Sequence, residues 1–201
     1  MSIELFACAG GAIYLPTRDG ALVSREDGGN LIVFPSRRVW ERSELTLEEL
    51  RNWSCLVAAA GAAMLKTLPQ LDGGCINYWE AGNWALNPLA PPEGDKRAPD
   101  HRSMHLHLLG RSRTAKDPNW RWGESPVFPR YAERNDWLHA EDRLAPAETS
   151  AIVNETARIL ADKYGFAPAD IGPVAVCPSC SYPTALKNGA APAPCVECAA
   201  Q

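Results

Sequence analysis

Ser103-Met-His-Leu-His-Leu-Leu-Gly-Arg111 gathers the side chains of this chain best suited to chemistry at neutral pH. The run alternates, with Ser103, His105 and His107 on one side and Met104, Leu106 and Leu108 on the other. That period of two predicts a strand with one buried and one chemically useful face. Imidazoles two residues apart on a strand lie roughly 6–7 Å apart, so both reach one phosphate-sized group. Gly110 and Arg111 then close the run with a flexible position and a cation. A single histidine on a strand is usually a satisfied core or surface residue. Here three of only four histidines, His101, His105 and His107, fall within seven residues. Between residues 96 and 121 stand seven basic side chains (Lys96, Arg97, Arg102, Arg111, Arg113, Lys116 and Arg121) against Asp100 and Asp117. The whole chain carries net charge −4, so this excess is local and suits an anionic ligand. A phosphate or a metal site are both consistent with that spacing.

A second constellation lies near residue 180. Cys177-Pro-Ser-Cys180 is followed by fourteen residues and then Cys195-Val-Glu-Cys198. Each C-x-x-C turn offers two thiolates to one ion, and two turns complete a tetrahedral four-thiolate site. The intervening residues 181–194 are rich in Ala, Pro and Gly and carry no core of their own, so metal would supply their folding energy. A redox role needs a thioredoxin-like βαβ context, which the sequence lacks. These features predict a structural zinc ribbon; four protein ligands leave no open position for catalysis.

The elements that position these residues can be read in order. Ile13–Leu15 and Ala21–Ser24 read as two short strands around an Asp19-Gly20 turn. Leu31–Phe34 reads as a buried central strand stopped by Pro35, with Arg37 and Arg38 at its end. Thr46-Leu-Glu-Glu49 is a capping box opening a helix to about Lys66, with Leu50, Trp53, Leu56, Val57, Ala60 and Met64 on one stripe. Asp72-Gly73-Gly74 is a turn, and Cys75–Trp79 the next strand. Residues 81–100, broken by prolines, read as an insertion or lid before the histidine strand. Residues 114–130 read as irregular, with Trp120 and Trp122 packing the loop onto the body. Pro146–Tyr164 reads as a second amphipathic helix capped by Gly165, with Ile152, Val153, Ala157, Ile159 and Leu160 inward. Cys8, Cys55 and Cys75 are expected to be buried free thiols.

Composition bounds the rest. At 201 residues, 46% hydrophobic and 22% charged, the chain has the make-up of a globular protein with one sizeable core and a small appendage. A pI near 5.6 argues against general nucleic-acid binding as the main task. No run of eighteen apolar residues exists, and the first residues lack a basic n-region, so the expected location is the cytoplasm, away from membranes.

His105-Leu-His107-Leu-Leu-Gly-Arg111 resembles the end of the histidine-triad (HIT) motif, in which three alternating histidines precede two apolar residues. Asn30-Leu-Ile-Val-Phe-Pro-Ser-Arg-Arg38 resembles that family's strand ending in Pro and a basic pair, followed by a helix opening with Thr-x-x-Glu. Asn77-Tyr-Trp-Glu-Ala-Gly-Asn83 resembles its Asn-containing strand and Gly-rich turn. The similarity spans about residues 12–112, in order. It implies an α+β, HIT-like fold over residues 1–168, an antiparallel sheet of about five strands with two packing helices, followed by a zinc-ribbon tail at 169–201. It further implies that His105 attacks the α-phosphorus of a nucleotide or nucleotide conjugate to form a nucleotidyl-histidine. His107 would hold the phosphate, and Asn77 or Asn83 would contact phosphate or sugar. Ser103 stands where the family has its first triad histidine, Asn30 and Arg38 where it has two others. Ser103 and Asn30 retain hydrogen-bonding capacity, Arg38 and Arg111 retain phosphate-binding capacity, and His101 is the candidate proton donor to the leaving group. A homodimer through the long helix or the Cys75 strand would fit the family. Two functions follow: a nucleotide hydrolase or nucleotidyltransferase, or a nucleotide-binding adaptor that lost turnover and engages a protein or nucleic-acid partner through the ribbon.

Overall fold

The computed structural model describes residues 2–17, 20–82, 97–127, 143–186 and 193–199. Five strands, β1 (Ile3–Cys8), β2 (Gly11–Leu15), β3 (Asn30–Phe34), β4 (Cys75–Ala81) and β5 (His105–Arg111), form one antiparallel sheet. Its order is β1-β2-β3-β5-β4. Four helices are described: α1 (Leu47–Thr67), the single-turn α2 (Ala98–His101), α3 (Pro146–Tyr164) and the short α4 (Val196–Ala199). A two-stranded ribbon of β6 (Val174–Val176) and β7 (Pro183–Ala185) completes an α+β architecture.

α1 and α3 pack on each other over one face of the sheet. Trp53, Leu56, Ala60 and Met64 of α1 and Ile152, Val153 and Leu160 of α3 meet Leu31, Val33, Leu106 and Leu108 from the sheet. Leu50, Val57 and Ala157 pack at the margin of this core. The start of α1 follows from its sequence: Thr46 Oγ1 accepts from Glu49 N at 3.2 Å while Glu49 Oε2 accepts from Thr46 N at 2.8 Å. Replacing Thr46 by Ala removes the side-chain half of the cap and is expected to cost about 1 kcal/mol. In thermal denaturation that reads as a fall of about 2–4 °C in Tm. At α3, Pro146 occupies the first turn, Glu148 Oε2 accepts from Ala145 N, and Gly165 closes the helix at φ 71°.

The N-terminal hairpin differs from the sequence expectation. Ile13–Leu15 belongs to β2, but its partners are β1 and β3, and residues 21–24 are not a strand. Ala21, Leu22 and Val23 are all buried, but the segment pairs with no strand of the sheet; its Leu22 N–H goes instead to Asn30 Oδ1 at 3.1 Å. β1 itself was not expected. A bulge between Glu4 and Phe6 turns both Leu5 and Phe6 into the core and hides the alternation that marks a strand. Cys8, Cys55 and Cys75 are half-buried: Cys8 and Cys55 sit at margins of the core, and Cys75 opens the edge strand β4.

On the opposite face of the sheet, Leu109 packs with Leu22, Val23 and Trp120. Trp120 Nε1 donates to the Gly110 carbonyl at 2.7 Å, so this tryptophan fastens the irregular segment 112–127 to the body, as expected; Trp122, expected to do the same, is exposed, with the Arg113 guanidinium over its ring. Asp27 holds the same segment: its carboxylate accepts from Lys116 N and Asp117 N, and its carbonyl from Ser112 N. Most of the expected 81–100 insertion lies outside the described residues; its end forms α2.

Candidate functional site

β5 sits between β3 and β4, so its side chains have neighbours on both flanks. The register pairs His107 with Ile32 and Trp79, and Asn77 with Leu109. Directly paired residues share a face, and so do residues two apart. His105, His107, Leu109, Phe34, Trp79 and Asn77 therefore all lie on the face away from α1 and α3. Phe34 stacks on His105 with ring centroids 4.8 Å apart, and Trp79 stacks on His107 at 5.3 Å. The strand was expected to bury one face only; in fact all seven residues of β5 are buried. His105 and His107 are 1% and 3% exposed, because aromatic neighbours wall them on their own face.

The two imidazoles touch. His105 Nε2 lies 3.1 Å from His107 Nε2, and His105 Nδ1 lies 2.8 Å from the Ser103 carbonyl oxygen. A carbonyl only accepts, so His105 carries its proton on Nδ1 and presents a lone pair at Nε2. His107 must then donate from Nε2, which leaves its Nδ1 as an acceptor; that atom is buried and unpartnered. One chain of hydrogen bonds thus fixes both tautomers. Burial lowers the pKa of His105, and the Ser103 bond only partly opposes it. Burial and the neighbouring His105 bring His107 down from 6.5 to about 3. Both rings are neutral at pH 7.

This has a consequence for stability. A depressed histidine pKa contributes stability that is fully present above the unfolded value of 6.5 and is lost as pH falls from there towards about 3. Below 6.5 the unfolded chain takes up protons that the folded pair refuses. Tm should therefore decline through this window, and His107→Asn should flatten the decline between about pH 6.5 and 5, above the range in which ordinary carboxylates titrate. Melting curves at closely spaced pH values check it.

The remaining candidates occupy distinct places. Asn77 is half-buried on the histidine face, one residue pair along from Trp79. Ser103 is half-buried and acts through its backbone, its N–H donating to Gly82 O and its carbonyl orienting His105. Arg111 is buried; its guanidinium donates to the carbonyls of Arg121 and Glu124 and lies over Trp120, tying down the 112–127 segment. Asn30 is buried with its amide engaged by Leu22 N and Leu31 O. Arg38 is exposed and donates to the Asp100 carbonyl in α2, which also carries the half-buried His101. Asn83 lies outside the described residues.

The local cation excess is also reshaped by the fold. Arg102 pairs with Glu41 and Glu80, Lys116 with Glu26, and Arg97 with Asp100. Three of those acids come from elsewhere in the chain, so part of the basic run is offset by carboxylates, while Arg113 and Arg121 remain exposed. The stacking partners Phe34 and Trp79 were not picked out from sequence. Their signal is the strand register, which links positions 34, 79, 105 and 107 only once the sheet is assembled.

The four cysteines form a compact second site. The Sγ atoms of Cys177, Cys180, Cys195 and Cys198 all lie within 4.8 Å of one another. Tetrahedral zinc with Zn–S bonds of about 2.3 Å separates its sulfurs by about 3.8 Å, so the cluster has the dimensions of such a centre. β6 leads into the first C-x-x-C turn, which Ser181 leaves at φ 63°, and α4 carries the last ligand. Burial alone would raise the Cys177 thiol, but N–H groups of Cys195, Ser179 and Cys180 outweigh it and bring it to about 6. Cys195 N lies 3.2 Å from Cys177 Sγ, a donor placed to stabilise a thiolate. Burial pushes Cys180 up. The four side chains are positioned to hold one metal ion.

No protein-family model matches the chain, and no curated protein matches it. Fold and sites define an α+β protein with a neutral, hydrogen-bonded histidine pair on an aromatic-walled sheet face and a four-thiol metal-type centre. No described helix is long and apolar enough to cross a membrane.

Proposed function

We propose that the chain is a divergent, HIT-like nucleotide hydrolase or nucleotidyltransferase that works at the α-phosphate through His105, with zinc at the four cysteines. The observation that carries this reading is the fixed tautomer of His105. Its Nδ1–H is held by the Ser103 carbonyl, so the free electron pair is at Nε2. Attack from Nε2 forms the N–P bond while the bond from phosphorus to the leaving oxygen breaks. The leaving group departs with that electron pair as a phosphate or polyphosphate anion. The imidazole becomes cationic, and the Ser103 carbonyl, already accepting from Nδ1, stabilises that charge without rearrangement. His107 loses its acceptor at His105 and turns its Nε2–H to a non-bridging phosphate oxygen. Water or another acceptor then attacks phosphorus, the N–P bond breaks, and the acceptor's proton is released. Asn77, on the same face, contributes an amide to phosphate or sugar.

A second reading, nucleotide binding without turnover, is favoured by one feature: His105 Nε2 already accepts from His107 at 3.1 Å, so attack requires that bond to break. The two readings separate in one experiment. The protein is incubated with a radiolabelled dinucleoside polyphosphate, quenched in alkali and acid in parallel, and assayed for protein-bound label and product. An alkali-stable, acid-labile adduct with turnover supports the enzyme. Saturable binding with neither supports the adaptor, and no binding removes both.

A further inference from the structure

The cysteine centre is not a separate tail. Cys177 and Cys195 are 1% and 3% exposed and belong to the main hydrophobic core. β7 packs against β1, which is the end strand of the five-stranded sheet. The backbone leading into the ribbon lies along that strand: Asp170 O accepts from Ala9 N at 2.7 Å, Gly172 N donates to Ala7 O at 2.9 Å, and Cys8 bridges Ile171. An end strand left open is a template for pairing with other chains, and here part of it is covered.

A charged clasp joins the same parts. Arg143, whose side chain is 5% exposed, donates from Nη1 and Nη2 to Glu197 at 2.8 and 3.1 Å. Nη1 also reaches the Pro16 carbonyl, one residue past β2, and the guanidinium lies over the Tyr182 ring. Tyr182 Oη in turn donates to Leu144 O at 3.0 Å. Glu197 sits between the candidate ligands Cys195 and Cys198, on a helix of four residues. Such a helix has no stability of its own and depends on what fixes its ends. Removing its fixation would leave a buried guanidinium without its carboxylate, which is strongly unfavourable.

We infer that metal at the four cysteines fastens the β1–β2 end of the sheet, through α4, Glu197 and Arg143, so that metal loss opens that edge and not the ribbon alone. The inference rests on the reading that the four thiols hold a metal, and is independent of nucleotide chemistry. The coupling makes the sheet responsive to any condition that strips or displaces the ion.

The test uses the full chain. Metal content is measured by elemental analysis. Zinc is then stripped with a strong chelator under reducing conditions, and backbone hydrogen exchange, Tm and light scattering are followed. About one metal per chain is expected, with a fall of about 10 °C or more on stripping and recovery on adding zinc. Amide protection should be lost in residues 3–8 together with 174–199, with a rise in scattering. Arg143→Met and Glu197→Gln should keep the metal yet lower Tm and loosen residues 3–8. A chain that binds metal but keeps residues 3–8 protected after stripping overturns the inference alone. A chain that binds no metal overturns the metal reading and the inference with it.

Discussion

On the proposed mechanism, His105→Asn should abolish the nucleotidyl adduct and lower kcat/KM by about a thousandfold or more, because it removes the Nε2 lone pair assigned to attack phosphorus. Asparagine keeps a polar side chain of similar reach, so folding should be retained and nucleotide binding largely preserved. The measurement is single-turnover labelling beside steady-state kinetics on a phosphoanhydride substrate. His107→Asn, which removes the proposed phosphate contact but not the proposed nucleophile, should cost less, about tenfold to a hundredfold. A His105 variant that still turns over at the wild-type rate would mean that the attacking group lies elsewhere. Equal losses at both positions would mean the pair acts as one unit, through the proton they share at 3.1 Å.

The second large effect is on stability and comes from Gly110. In sequence it reads as a flexible position ending the histidine strand, but it lies inside β5 and its role is close approach. A Cβ there would stand 2.2 Å from Gly28 O and 2.5 Å from Gly28 C, backbone atoms that cannot move aside. Gly28 has φ +130°, and a Cβ on it would in turn strike Gly110. Gly110 N also donates to Gly29 O, and Gly110 O accepts from Trp120. Gly110→Ala should therefore cost about 3 kcal/mol by overpacking and displaced backbone, with Tm falling by roughly 6–12 °C. A change within 1–2 °C, about what a surface substitution gives, would show that the two backbones have room to part.

Periodic signals carried most of the architecture. The capping box at Thr46, the apolar stripe through Met64 and the Pro146–Gly165 limits of α3 all rest on local chemistry, which sequence displays directly. β1 escaped because a bulge breaks alternation between Glu4 and Phe6, and residues 21–24 misled because three consecutive buried apolar residues imitate a short strand. The spacing of His105 and His107 foretold that the rings would be neighbours. It could not foretell that Phe34 and Trp79 would wall them, since those contacts depend on register between strands distant in sequence. Charge was legible only in part for the same reason: the acids that pair with Arg102 and Lys116, at positions 26, 41 and 80, stand far from the basic run. The two C-x-x-C turns announced their own meeting; their union with the core rests on Arg143 and Glu197, whose pairing no local pattern encodes.

The backbone bonds between Ala9 and Asp170 and between Ala7 and Gly172 join segments some 160 residues apart, and the cysteine at position 198 lies further still. During synthesis, residues 3–8 can pair with β2 early, but their outer edge must wait for its cover until the segment around residues 170–185 has left the ribosome. Such long-range closure slows folding and lengthens the time an uncovered strand edge is presented to other nascent chains. Helper proteins that shield exposed strands should accordingly matter most for this polypeptide in the interval before Cys195 and Cys198 emerge.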